Sequence, residues 1–138
     1  MTPVDMLVTH DPSKNVWGDC TRACVASIFD LPAEEVPHFA EDGLAAPRTD
    51  GCLPWVHRMR EWLNVRGFDM VFVDVKEPAH HWPNDCLQFH YIVGGKTIRG
   101  TDHDTVWYQG KMVHDPHPER RGILLNEYPM LYTLIVKK

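Results

Sequence analysis

The sequence predicts an α+β fold in which two helices come first and an antiparallel sheet follows. Apolar residues recur at helical spacing in the first half of the chain, whereas runs rich in β-branched and aromatic residues fill the second half. Helices and strands that are segregated along a chain, without strict alternation, are typical of α+β folds. The 138 residues are enough for one domain, which we predict to span 1–138.

The first predicted helix begins at Cys20 and continues to about Asp30. Nearly all of its residues are apolar, and a short helix that is apolar almost all round is usually a buried one. Asp19 is expected to cap the first free amides of this helix. Pro32 follows shortly after it and ends it. We therefore expect a central, buried helix that packs on the sheet.

A second helix is predicted from about Leu53 to Arg66, because apolar residues there repeat at spacings of three and four. Gly67 is its expected C-cap. Between the helices, Pro32–Val36 is typical of a single helical turn, and 38–52 is expected to be irregular.

The strands are predicted from β-forming residues between turn residues. We expect Gly94-Gly95 to end the third of them, and 76–86 to be a loop with an exposed histidine pair, His80 and His81. The six predicted strands are Met6–His10, Phe68–Val75, Leu87–Val93, His103–Tyr108, Lys111–Asp115 and Met130–Val136.

Charge and composition exclude several classes of partner. The formal net charge is −5, and no basic run is longer than two residues, which argues against nucleic acid or an anionic membrane. No apolar run approaches membrane-spanning length, and the N-terminal residues do not resemble a secretory signal. Four cysteines in such a chain favour free thiols in a reducing cytoplasm.

Cys20 is the candidate nucleophile because it occupies the first turn of the buried helix. The helix dipole and the free N–H groups there favour a thiolate, and the same N–H groups can hold an oxyanion. The alternative is a packing cysteine, since free cysteines are among the most buried residues. Cys24, one turn further on, fits that structural role. The neighbouring carboxylate of Asp19 opposes ionisation of Cys20.

A thiol nucleophile needs a base, commonly a histidine that a third group orients. Nine histidines are candidates. A three-residue loop with Gly110 in the left-handed position would place His103 opposite Asp115, so that the two side chains could form a hydrogen bond. A two-residue loop would instead place His103 on the other face. We favour the first register, which makes His103 and Asp115 the partners of Cys20.

These segments resemble papain-like cysteine peptidases, and in particular the bacteriocin-processing peptidase domains. The segment 19–24 is similar to the start of that family's central helix, with Thr21 in place of a glycine. The segments 100–107 and 114–116 resemble its histidine and acid motifs. The resemblance implies a papain-like fold and a Cys20–His103–Asp115 triad. The family's oxyanion glutamine has no counterpart here, and Asn15 is the nearest amide that could take its role.

Thiol-dependent hydrolysis of an amide bond in a peptide or protein substrate is the favoured function, without cofactor or metal. Transfer to an amine, as in a transglutaminase, or deamidation would use the same residues. A non-catalytic binding or inhibitor module on the same fold stays open, and the sequence does not predict the oligomeric state. A metal site is a weaker alternative, because none of the spacings matches a known ligand pattern. Its candidate ligands are His103, His114, Asp115 and His117, with Cys20, Cys24, Cys52 and Cys86 as possible contributors.

Overall fold

The structure is a computed structural model that describes residues 1–43, 47–77 and 87–138. Within these ranges the chain has the predicted α+β architecture, with two α-helices and a five-stranded antiparallel sheet. The predicted loop from Pro78 onwards, with His80 and His81, lies outside the described residues. The elements are α1 (Cys20–Ile28), α2 (Pro54–Val65), β1 (Phe68–Val75), β2 (Tyr91–Lys96), β3 (Asp102–Tyr108), β4 (Lys111–His114) and β5 (Met130–Lys137).

The strands are ordered β1-β5-β2-β3-β4. The helices cover one face of this sheet, where Val25 of α1 and Met59 of α2 share a core with Ile92 and Val106. A second core, which includes Trp107, lies on the opposite face. Side chains two residues apart in a strand point to the same face. Val106 faces the helices, so Asp104 also points towards them. None of the helices in the described ranges is long and apolar enough to span a bilayer.

The buried helix α1 forms as predicted, although Asp19 does not cap it with its side chain. The buried carboxylate of Asp19 instead accepts hydrogen bonds from the backbone N–H groups of Leu7 and Val8, at 3.2 and 3.0 Å. It also accepts two from the guanidinium of Arg22, at 2.8 and 2.6 Å. These four bonds occupy the carboxylate and tie the N-terminal segment to the start of α1.

The same contacts explain why the predicted strand Met6–His10 is absent. Its backbone N–H groups at Leu7 and Val8 bond to a side chain and not to a neighbouring strand. The carbonyl oxygen of Val8 accepts a hydrogen bond from the N–H of Asp19. The segment therefore runs beside the start of α1 as irregular chain. The predicted turn after α1 is present as a 3₁₀ helix, Ala33–Glu35.

The prediction that Gly94-Gly95 ends a strand was wrong, because both glycines lie inside β2. A Cβ atom at Gly94 would lie 2.6 Å from Oδ1 of Asp104, and one at Gly95 would lie 3.1 Å from Cδ1 of Ile123. The absent side chains leave room for the carboxylate of Asp104 on one face of the sheet and for the apolar side chain of Ile123 on the other. Here glycine serves close packing and not chain reversal.

The predicted register of the β3–β4 hairpin was also wrong. Tyr108 pairs with Lys111, so the loop has two residues, Gln109 and Gly110, which both have positive φ. The register then shifts, since Trp107 pairs with Met112 but Val106 pairs with His114. Val113 is thus an extra residue in β4, a β-bulge. With the two-residue loop alone, Asp115 and His103 would point to opposite faces of the sheet. The extra residue in β4 reverses the alternation of its side chains, so Asp115 and His103 point to the same face.

Candidate active site

A cavity of about 530 Å³ opens where the start of α1 meets the start of β3. Cys20 and His103, which are distant in the sequence, both line it. The other lining residues come from the N-terminal segment, from the turn between β2 and β3, and from the chain after β4. They are Met6, His10, Pro12, Trp17, Gly18, Lys96, Arg99, Gly100, Thr101, Asp102 and His117.

Cys20 is the first residue of α1 and is partly exposed in this cavity. Cys24 lies one turn further on with 0% of its surface exposed, inside the core between the helices and the sheet. The two thiols thus differ in access as their positions on the helix predict. Cys20, Cys24 and Cys52 are free thiols, whereas Cys86 lies outside the described residues.

The electrostatics of Cys20 differ from the expectation of a ready thiolate. Burial and, after it, the negative charge of Asp104 together raise the pKa of the Cys20 thiol to about 12. Hydrogen bonds from the backbone of Asp104 and from Thr21 lower this pKa, but they are the smaller effects. The resting thiol is therefore protonated at neutral pH. The neighbouring acid that opposes its ionisation is Asp104 and not, as predicted, Asp19.

His103 and Asp115 form a buried hydrogen-bonded pair. The imidazole Nε2 lies 2.6 Å from Oδ1 of Asp115, and the residues are 4% and 2% exposed. If Nε2 donates its proton to the carboxylate, Nδ1 is the unprotonated nitrogen of the ring. Nδ1 is then the atom that can accept a proton from another group at the cavity.

Asp115 is held as an anion by three donors. Burial by itself would raise the pKa of this carboxyl, but hydrogen bonds from His103 and from two backbone N–H groups outweigh it and lower the pKa to about 2. The backbone donors are His117, 2.9 Å from Oδ1, and Gly122, 2.7 Å from Oδ2. The carboxylate orientation is therefore fixed by the loop after β4, and it fixes the ring of His103 in turn.

Asn15, the predicted oxyanion donor, does not line the cavity; Asp115 does not line it either, but it contacts His103, which does. Asn15 is exposed and adopts a left-handed conformation, φ 54° and ψ 36°, at the end of a short 3₁₀ helix. Its backbone N–H closes that turn by donating to the carbonyl of Pro12. The structure thus places Asn15 as an exposed turn residue outside the lining of the cavity.

Among the other histidines of the described residues, His10 and His117 line the cavity, but His114 and His90 do not and are engaged elsewhere. Nε2 of His114 lies 2.8 Å from the carbonyl oxygen of Val4, and His90 packs against the ring of Tyr108. His117 approaches His103, with ring centroids 6.0 Å apart. Even so, no three His, Cys, Asp or Glu side chains in the described ranges are placed to hold a metal ion.

Asp104 is a site residue that the sequence analysis missed. Its carboxylate accepts a 2.6 Å hydrogen bond from the hydroxyl of Thr21, the residue next to Cys20. Burial raises the pKa of Asp104, and the hydrogen bond from Thr21 opposes that change. Gly94, which pairs with Asp104 in the sheet, leaves room for this carboxylate because it has no side chain. An aspartate in the middle of a strand, opposite a glycine, is the only sequence signal that pointed to it.

We expect Asp104→Asn to accelerate alkylation of Cys20. The amide oxygen can still accept a hydrogen bond from Thr21, but the charge that raises the thiol pKa is gone. A neighbouring like charge shifts a pKa by about one unit or more, so the alkylation rate of Cys20 should rise about tenfold when this charge is removed. The measurement is the iodoacetamide rate at Cys20 at a pH where Asp104 is ionised. Asp102→Asn, which removes a more exposed acid paired with Lys96, should change the rate far less, and equal effects would refute this account.

Comparison with known proteins adds no family assignment. Neither protein-family models, nor curated proteins, nor solved structures give a match to this chain.

Proposed function

We propose that this chain is a thiol-dependent acyl-transfer enzyme, most simply a cysteine peptidase or isopeptidase. Cys20 would be the nucleophile, His103 the general base and Asp115 the residue that orients the imidazole. The observation that carries the proposal is that His103, which lies 2.6 Å from the buried carboxylate of Asp115, lines the same cavity as a cysteine on the first turn of a helix. A nucleophile, a base and an orienting acid together are the recurring elements of covalent acyl transfer.

The protonated thiol determines how the reaction would begin. Nδ1 of His103 takes the thiol proton as sulfur attacks the acyl carbon, so that the C–S bond forms while the carbonyl electrons move to oxygen. The backbone N–H groups at the start of α1 stabilise the resulting oxyanion. The imidazolium then protonates the leaving amine as the C–N bond breaks. Water hydrolyses the thioester through the same base and restores the thiol.

The proposal extends to the fold and the compartment. A helix that carries the cysteine at its start and packs on an antiparallel sheet that carries the histidine and the acid is the arrangement expected of a papain-like domain. The three free thiols among the described residues are compatible with a reducing cytoplasm. A peptide or protein would enter the cavity as substrate, and transfer to an amine or deamidation would proceed through the same acyl-enzyme.

A non-catalytic binding module is the second candidate, and one observation favours it. Burial and Asp104 raise the pKa of Cys20 to about 12, and His103 is not among the groups that shift it. A thiol in that condition, without help from a base, is a poor nucleophile. This alternative predicts that Cys20 resists acyl donors and alkylating reagents at neutral pH.

Acylation by p-nitrophenyl acetate separates the two candidates. The enzyme should transfer the acetyl group to Cys20, release nitrophenolate in a burst and then hydrolyse the thioester. Cys20→Ser should abolish the burst, whereas the control Cys52→Ser should retain it, and peptide mapping by mass spectrometry identifies the acetylated residue. Acetylation of Cys52 or of lysines, with Cys20 untouched, would support the non-catalytic module.

A further inference from the structure

The cavity carries positive charge in a chain that is negative overall. Lys96 and Arg99, from the end of β2 and the turn that follows it, both line the cavity near His103, while the formal net charge of the chain is −5. The one acidic lining residue, Asp102, is paired with Lys96 at 2.8 Å. Because the Lys96–Asp102 pair is neutral, Arg99 supplies the net positive charge of this wall, opposite in sign to the charge of the whole chain.

Arg99 is incompletely paired. Nη1 lies 3.6 Å from Oε2 of Glu119, and the same oxygen lies 3.6 Å from Nε of Arg121. One carboxylate thus serves two guanidinium groups, each beyond the usual distance of a hydrogen bond. The side chain of Arg99 is 26% exposed, so its charge is partly withdrawn from water, where a new anionic partner interacts more strongly than at an open surface.

Arg99 also stands on a fixed turn. The buried Thr97 accepts a hydrogen bond from the N–H of Gly100, and its hydroxyl lies 2.9 Å from that of Thr101. Arg99 and His117 both line the cavity, and the pKa of His117 is lowered first by burial and then by the charge of Arg99. Arg99 and His117 are therefore neighbours on the wall that also holds His103.

We propose that Arg99 binds a carboxylate of the substrate, beside the bond that Cys20 attacks. This inference rests on the proposed function and names its substrate class: an acyl compound or peptide that carries a negative charge close to the reacting carbonyl. The group is either an acidic side chain or a free C-terminal carboxylate. A guanidinium with donors in a planar fork is suited to bind either one.

Two alkylating reagents that differ in one carboxylate test the proposal. Iodoacetate and iodoacetamide react alike with thiols, so the ratio of their rates at Cys20, relative to that at Cys52, reports attraction of the carboxylate. Arg99→Gln should lower the ratio about 2- to 5-fold, as for a partly exposed ion pair, and added salt should shrink the difference. The matched control is Arg121→Gln, which removes the other partner of Glu119 but does not line the cavity. An unchanged ratio in Arg99→Gln, or an equal fall in Arg121→Gln, would overturn the proposal.

A binding measurement keeps the proposal testable if Cys20 resists both reagents, a result that would count against the proposed function alone. Succinate, but not neutral succinamide, should shift the imidazole resonances of His117 in NMR spectra, and Arg99→Gln should remove the shift. Peptides identify the source of the carboxylate by competing with succinate for this response. One carries glutamate and an amidated C-terminus, and the other is neutral with a free C-terminus. Absence of a succinate shift, or failure of both peptides to compete, would contradict the inference.

Discussion

His103→Ala is expected to slow acylation of Cys20 by about 100- to 10,000-fold, the usual cost of losing a positioned acid or base. The thiol has a pKa of about 12, so without the imidazole almost none of it is nucleophilic at neutral pH. Asp115→Ala should slow acylation less, because the imidazole of His103 is still present as the base but is no longer oriented by a carboxylate. The rate of nitrophenolate release from p-nitrophenyl acetate measures both changes.

A variant that combines His103→Ala and Asp115→Ala tests whether these two residues act as one unit. Asp115 is expected to act through His103, so the double variant should be little slower than His103→Ala alone. His114→Ala is the control, since His114 is also buried but bonds to the carbonyl of Val4. Circular dichroism excludes unfolding. If His114→Ala abolishes acylation and His103→Ala leaves it intact, the triad has been assigned incorrectly.

The pH dependence of stability follows from the same pair. The folded-state pKa of Asp115 is about 2, below the value of about 3.9 for an unfolded aspartate. A lowered pKa stabilises the fold while the carboxyl is ionised. This contribution is complete above the unfolded value and is lost as the pH falls from about 4 to 2. In Asp115→Asn, the free energy of unfolding should no longer lose this contribution as the pH falls from about 4 to 2.

Asp19→Ala should produce a large loss of stability. Removing the carboxylate leaves the guanidinium of Arg22, 14% exposed, without its ion-pair partner. It also leaves the backbone N–H groups of Leu7 and Val8 without their acceptor. Breaking a buried ion pair on one side typically costs about 3–5 kcal/mol. Urea unfolding of the variant measures this change in the free energy of unfolding.

The exposed pair of Arg58 and Asp42 provides the matched control. Its two hydrogen bonds, at 2.8 and 2.7 Å, have a similar two-point geometry, but both side chains are 45% exposed. Exposed pairs contribute little to stability, because the solvent screens their charges. Asp42→Ala should therefore destabilise the protein far less than Asp19→Ala. Similar losses in the two variants would show that burial does not set the strength of the Asp19 contact.

The sequence predicted the elements better than their details. Apolar spacing predicted the second helix, because burial of one face imposes a period on the residues; an almost wholly apolar run predicted the first helix, and β-forming residues predicted the strands of the sheet. It could not show that Gly94 packs against Asp104 inside a strand, since glycine also marks turns. Met6–His10 has the composition of a strand, but the backbone bonds of this segment are made to Asp19, a contact that only the folded chain defines.

The candidate site shows the same limit. The sequence brings His103 and Asp115 together through a three-residue loop, whereas the structure does so through a two-residue loop and a bulge at Val113. Two departures from the assumed register compensate each other. The position of Cys20 on α1 follows from local pattern, but its raised pKa does not. That depends on burial and on Asp104, a charge that reaches the thiol only when the sheet packs on the helix.

The pH dependence of iodoacetamide labelling at Cys20, in the wild type and in His103→Ala, most directly tests whether the thiol and the imidazole form one catalytic unit. If they do, wild-type Cys20 should be labelled at pH 6–7 before Cys24 and Cys52, and the His103→Ala rate should stay low until the pH approaches the thiol pKa of about 12. Coincident profiles for the two proteins, both rising only at high pH, would contradict the account and leave Cys20 as a thiol without a base.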